Sequence, residues 1–319
     1  MKADVVNGAL LVLALAAATW AATLPGSPGI PIAGRRSAVA DAPEAGATEV
    51  VDARGIAVPV GSYERIVSLS TISDHVLLRM VEPDRLVSIT GFTARDHPEA
   101  WRFGARPSID ASGDVEAVIA LRPDLVIVSK FADESYMERL RERDIQVFDL
   151  GEMRGVRTTR ANVRALGALL DLRERAEKVE GAYARQLQAL DDAVPDEDMA
   201  PGIYLSIYGD SLFGATANTS YADTLFYGGV RDIAAERGFV DWPQYSAEQL
   251  IRLDPPLIVT LRGMADVLRS HSVLSGLRAC GPGGRIVEID RAYNADAGLG
   301  IVEAAQAVQD LVHGEGRDR

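Results

Sequence analysis

One cysteine, Cys280, occurs in 319 residues. It has no partner for an intramolecular disulfide and belongs to no thiolate set for a zinc cluster. Its distance from the N-terminus also excludes the lipid-accepting cysteine of an ordinary lipoprotein. Positive charge is short too: 33 Lys and Arg face 46 Asp and Glu, a formal net charge of −13. That balance argues against nucleic acid or an anionic membrane surface as a partner, since both reward basic excess. His75, His97, His271 and His313 are the only histidines, and no two stand at the i, i+4 spacing of one helix face. A bare cation therefore finds few converging ligands, and no metal site is expected. Neither a P-loop nor a GxGxxG fingerprint is present. Gly209-Asp210-Ser211-Leu212-Phe213-Gly214 has one residue too many after the serine for a nucleophile elbow. Gly281-Pro282-Gly283-Gly284 precedes a strand pattern and reads as a turn. Neither catalysis nor an intrinsic cofactor is expected.

What the chain does contain is ordered along its length. Lys2 and the apolar run from Ala9 to Ala18 have the form of a signal-peptide h-region, short for a membrane span of about 20 residues. Residues 1–23 are expected to be a signal peptide or an uncleaved anchor, which places the remainder in the periplasm or another extracytoplasmic compartment. Thr19-Trp20-Ala21 and Ala38-Val39-Ala40 both offer small-x-small cleavage sites. Residues 24–47 are rich in Pro, Gly and Ala without periodicity and read as a disordered linker.

Two segments then alternate strand and helix patterns. In residues 48–157 a hairpin signal over 49–60 leads into strands at 65–69, 86–90, 125–128 and 145–150, with helices at 73–80, 115–121 and 134–143. In residues 196–313 strands at 203–207, 257–260 and 285–289 alternate with helices at 221–227, 247–253, 265–271 and 302–313. Such alternation predicts parallel sheets with helices on their faces. Between the segments, in a connecting helical region at 158–195, Ala176, Val179, Tyr183, Leu187, Leu190 and Val194 recur every three or four residues. They predict one helix over 171–193, with Asp171 as N-cap and Glu174 completing a capping box. The expected fold is α/β: two Rossmann-like lobes with parallel sheets joined by one long backbone helix, with a short tail at 314–319.

A repeat supports the two-lobe reading. VEAVIALRPDLVIV from Val115 and AEQLIRLDPPLIVT from Ala247 share a register offset by 132 residues. In each copy a glutamate, Glu116 or Glu248, follows an N-cap candidate, Asp114 or Ser246, where a helix dipole favours a carboxylate. Dipole partnership alone accounts for either glutamate. Their equivalence in two lobes favours a shared role.

With these residues in view, the chain resembles the extracytoplasmic solute-binding proteins of ABC importers for iron chelates, haem and vitamin B12. The similarity runs from EVVDARGIAVPVGSYERIVSLS through VEAVIALRPDLVIV to FGATANTSYADTLFYGGVRDIA and VDWPQYSAEQLIRLDPPLIVT, the last segment being close to the vitamin B12-binding member. Asp74-His75 and Gly298-Leu299-Gly300 depart from the family pattern of Thr-Glu and Gly-Pro-Arg, which bears on ligand identity. The resemblance implies an interlobe cleft holding a ferric siderophore, cobalamin or haem, in that order of expectation. It implies an ABC permease as partner, docked through Glu116 and Glu248, and a monomeric chain. The alternatives are a periplasmic sensor or adaptor on the same fold and a bare metal-cation carrier.

In open α/β sheets ligands bind beyond the carboxyl ends of strands. That rule selects Thr71, His75, Phe92, Arg95, His97 and Lys130 in the first lobe. In the second it selects Tyr208, Phe213, Trp242, Tyr245, Arg262 and Tyr293. Aromatics suit flat macrocycles or catecholates, and Arg or Lys suit carboxylate arms and anionic chelates. Trp242 leads the candidates because WPQ is similar to the B12-binding member's cleft segment.

Overall fold

The structure, a computed structural model, describes residues 46–314 apart from positions 98, 105, 110–114, 130–131, 210, 273 and 291–296. The expected signal segment, nearly all of the linker and most of the tail lie outside the described residues. No helix among the described residues is long and apolar enough to cross a membrane.

Strands β1 (Glu49–Val51) and β2 (Ala57–Pro59) form the expected antiparallel hairpin, with Val50 opposite Val58 and both buried. Asp52 closes its turn by accepting from the N–H groups of Arg54 and Ile56. The first lobe is a four-stranded parallel sheet of β3 (Ile66–Ser68), β4 (Leu86–Ser88), β5 (Leu125–Val128) and β6 (Gln146–Asp149) in the order β4-β3-β5-β6. Every residue of β5 is buried, as a strand covered on both faces requires. The helices of this lobe are α1 (Thr71–Met80), α2 (Gly91–Asp96), α3 (Val115–Ala120) and α4 (Glu134–Arg141). Helix α2 is absent from the sequence reading because six residues with one buried polar face carry no apolar period.

The connection between lobes is a helical hairpin, α5 (Val156–Leu169) and α6 (Arg173–Ala193). Asp171 does not cap α6. Its φ of +55° turns the chain between the helices, and Leu172 occupies the N-cap position without a side-chain bond. The turn is instead closed by the Leu172 N–H donating to the Gly167 carbonyl at 2.7 Å. Ala176, Tyr183, Leu187 and Leu190 form the buried stripe of the 21-residue α6.

The second lobe contains β7 (Ala200–Tyr208), β8 (Ser211–Gly214), α7 (Ser220–Tyr227), β9 (Val230–Asp232), α8 (Ile233–Glu236), β10 (Gln244–Tyr245), α9 (Ala247–Leu253), β11 (Leu257–Leu261), α10 (Ala265–Ser270), β12 (Arg285–Ile289) and α11 (Ile301–His313). Its sheet runs β10-β8-β7-β11-β12, with β9 pairing the start of β7. Strands β7, β11 and β12 are parallel, but β8 is antiparallel to both its neighbours, so this sheet is mixed and not parallel as expected. The cause is a hairpin at Gly209, whose φ of +57° suits a tight reversal.

One buried cluster runs from Val50 and Val58 through Ile66, Leu125 and Phe148 to Leu166, Tyr183 and Leu187, and on to Ile301 and Ala305. The spine is thus part of the first lobe's core. It is also tied to the end of the chain, since the Tyr183 hydroxyl donates to the Gly298 carbonyl at 3.1 Å and the Gln309 amide to the Leu190 carbonyl at 3.0 Å.

Candidate ligand-binding cleft

In the first lobe the carboxyl end of the sheet is organised by a buried polar network. Asp74, fully buried in the first turn of α1, accepts from the backbone N–H of Thr90 at 3.0 Å and from its hydroxyl at 2.5 Å. Burial raises its pKa, against hydrogen bonding with Ser68, Thr90 and Thr93. Thr90 in turn caps α2 by accepting from the Thr93 N–H. This network sets the direction of α2 and so of Phe92, Arg95 and His97. His97 follows the helix, and its Nδ1 accepts from the Glu99 N–H at 3.0 Å, which leaves the ring proton of the neutral form on Nε2. Its ring lies edge-to-face with His75, centroids 4.3 Å apart. Thr71 opens α1 beside this pair. Trp101, 77% exposed on the following 3-10 turn, has no place in the sequence reading, being a lone aromatic in a segment without period.

In the second lobe Tyr208 ends β7, and its ring is 5.9 Å from Phe213 on β8. Arg262 follows β11 and pairs with Asp290 at 3.5 Å in an exposed setting. Trp242 is elsewhere: it precedes β10, which enters the sheet opposite Phe213, so it borders the sheet's edge and not the carboxyl ends of β7 and β11. There it meets Tyr221 edge-to-face at 5.3 Å, and Tyr221 meets Tyr204 at 4.2 Å. Burial, with Tyr204 alongside, pushes the Tyr221 phenol well up. Tyr245 is a correction. At 4% exposure it belongs to the second-lobe core, where its ring packs on Phe239 at 5.1 Å and fills the space beside Gly214. Its alternation within β10 turns it inward, away from solvent. Lys130 and Tyr293 lie outside the described residues.

The lobes meet around Arg154, which follows β6. Its Nη1 donates to Asp241 of the second lobe at 2.8 Å and its Nη2 to Glu152 at 2.9 Å. Asp241 immediately precedes Trp242, so the tryptophan loop is anchored to the first lobe through this pair. One turn on, the Val156 N–H donates to the Asp223 carboxylate at 2.6 Å. Burial raises the pKa of Asp223, and that hydrogen bond opposes the shift. Gly155, with φ of +88°, has no room for a Cβ beside Asp223. Here a cavity of about 550 Å³ opens, lined by Arg154, Val156, Arg157, Arg160, Arg164, Asn218 and Asp223. The sequence reading missed these arginines because it weighed loops after strands. The signal was the spacing of three and four that runs from Arg154 into α5 through Arg157, Arg160 and Arg164.

Glu116 and Glu248 each stand in the first turn of a helix, α3 and α9, and each helix leads into a buried strand. The offset of 132 residues holds for both the helix starts, at Val115 and Ala247, and the strand starts, at Leu125 and Leu257. Ser246 caps α9 in a full capping box with Gln249. Glu248 accepts from its own N–H and from Ser246, which holds its pKa below the usual range. Asp114 lies outside the described residues. Glu116 pairs with Arg139 of α4 at 2.9 Å, both side chains being more than half exposed.

A family model described as periplasmic binding protein matches residues 66–292. A cobalamin-binding protein of Halobacterium salinarum is 27% identical over 212 residues, 66% of this chain and 57% of the relative. The chain thus spans little more than half of that protein's length. A vitamin B12-binding protein of Vibrio campbellii is 25% identical over 205 residues, 63% of this chain and 72% of the relative. Among solved structures, one described as a possible iron-binding (periplasmic solute-binding) protein of Staphylococcus epidermidis superposes with a TM-score of 0.69 at 18% identity, covering 79% of this chain and 99% of that one. The periplasmic haem-binding protein RhuT of Roseiflexus sp. RS-1 superposes at 0.66 with 19% identity, covering 77% and 98%. These superpositions show a common fold.

Proposed function

Because the chain belongs to the periplasmic binding protein family, we propose that it captures a metal chelate between its lobes outside the cytoplasm and delivers it to an ABC permease. The observation that carries this reading is the interlobe seam. Two α/β lobes share one helical spine, and the Trp242–Tyr221–Tyr204 aromatic run borders the place where Arg154 crosses from one lobe to the other. Tyr204 belongs to the core and Tyr221 braces Trp242, so half-buried Trp242 offers a flat macrocycle apolar contact that needs no covalent or acid–base group. The relatives matched in sequence are named as cobalamin- and vitamin B12-binding proteins, so a corrinoid moves ahead of the ferric siderophore expected first from sequence. Haem is third. The protein acts as a binder, not a catalyst.

The experiment is titration of the purified chain with cyanocobalamin, haemin and a ferric catecholate, followed by tryptophan quenching and by the chelate's visible spectrum. Saturable 1:1 binding of cyanocobalamin, tighter than that of the other two, is the expected result. Binding of none of the three sinks the chelate reading and favours a sensor or adaptor on the same fold.

A further inference from the structure

The cavity beside the seam has a chemistry of its own. Four guanidinium groups line it, on Arg154, Arg157, Arg160 and Arg164, against a single lining carboxylate, Asp223. Asp223 is turned to the Val156 N–H. The other carboxylates nearby do not exhaust the donors. Glu180 of α6 is shared between the Nε of Arg160, at 2.8 Å, and Nη1 of Arg164. Arg154 spends Nη1 and Nη2 on Asp241 and Glu152, and its buried Nε has no partner among the described residues. Arg157 makes no ion pair among the described residues. Each guanidinium has five N–H donors, so most of those facing the cavity are uncommitted. Three like charges on α5 and a fourth just before it, at Arg154, repel one another, and an anion between them relieves that repulsion while taking bidentate hydrogen bonds.

The geometry points to an anion-binding site in this cavity, taking a ligand with two or more carboxylate or phosphate groups. The volume of about 550 Å³ exceeds what a lone inorganic ion fills and lies in the range of small-molecule sites. The site stands on helix α5 and the loop before α7, not on the aromatic run, and the inference does not rest on the identity of the chelate. The anion has two sources: a free polycarboxylate or polyphosphate, or an acidic arm of the solute held in the cleft.

Titration calorimetry of the full chain at low ionic strength, with citrate and with pyrophosphate as probes, tests the site. At least one probe should bind saturably at 1:1. Its affinity should fall tenfold or more in Arg157→Gln and further in Arg157→Gln with Arg160→Gln, and fall less in Arg157→Lys, which keeps the charge but not the bidentate fork. Arg157 is exposed and unpaired, so its variants should fold, which circular dichroism checks. Arg269→Gln, on α10 and not among the residues lining the cavity, should change nothing. Absence of saturable binding by the folded wild type, or equal affinity in the double variant, overturns the proposal. Repeating the titration on protein saturated with cyanocobalamin separates the sources. Competition assigns the site to an acidic arm, and simultaneous binding assigns it to a free anion. If cyanocobalamin fails to bind, the chelate reading is struck while the citrate and pyrophosphate results still report on the cavity.

Discussion

Trp242 is half-buried, with one edge on Tyr221 and its loop held by the Asp241–Arg154 pair. A side chain so placed is a rigid anchor already ordered before ligand arrives. Trp242→Ala should weaken chelate binding by about 1–3 kcal/mol, the scale of a buried aromatic contact. Calorimetry that finds the affinity unchanged would make it a packing residue. Asp74 gives a prediction in pH. Its folded pKa is raised by burial above the unfolded value of 3.8. The folded state therefore holds this proton more tightly than the unfolded state. The resulting stability is complete below the unfolded pKa and is lost as pH rises through the folded pKa. Asp74→Asn, which is neutral at every pH and keeps an acceptor for Thr90, should flatten the fall of urea midpoint between pH 4 and the upper end of that window. An unaltered profile would mean that the carboxylate is not what titrates.

At the scale of elements, the spine depends on how closely α5 and α6 approach. A Cβ at Gly167 would overlap that of Ala176, and Gly167 also supplies the carbonyl that closes the turn. Glycine is needed there for contact, not for backbone freedom, since its position is helical. Gly167→Ala should push the two helices apart and cost about 1–3 kcal/mol, the usual penalty of overpacking, despite alanine's better helix propensity. Chemical denaturation measures it. A stabilised variant would show that the hairpin has slack.

For the whole molecule, the two helix-start glutamates matter as a pair. Each is fixed on a short helix ahead of a buried strand, so the carboxylates hold constant positions as long as both lobes hold theirs. Two such points define an orientation against a partner bearing arginines, and Glu116 would exchange its present partner, Arg139, for one of them. Glu116→Arg combined with Glu248→Arg should abolish uptake in cells while leaving ligand affinity in solution unchanged. If transport continues, the carboxylates serve only the helix dipoles.

The local sequence by itself determined the elements. Continuous apolar runs located β5 and β11, which are covered on both faces, and a period of 3.6 located the buried stripe of α6. The repeat around Glu116 and Glu248 carried the two-lobe plan, since equal register over so many residues requires equal local geometry. Tertiary structure alone decided what those elements meet. The turn at Asp171 and the reversal at β8 rest on short-range geometry at Gly167 and Gly209 that an apolar pattern does not carry. That Tyr245 faces the core depends on β8 beside it, a neighbour distant in sequence. So does the arginine cavity. Its arginines, one just before α5 and three along it, are legible in the sequence, yet they form a site only because Asn218 and Asp223, brought across from the other lobe, close the far wall.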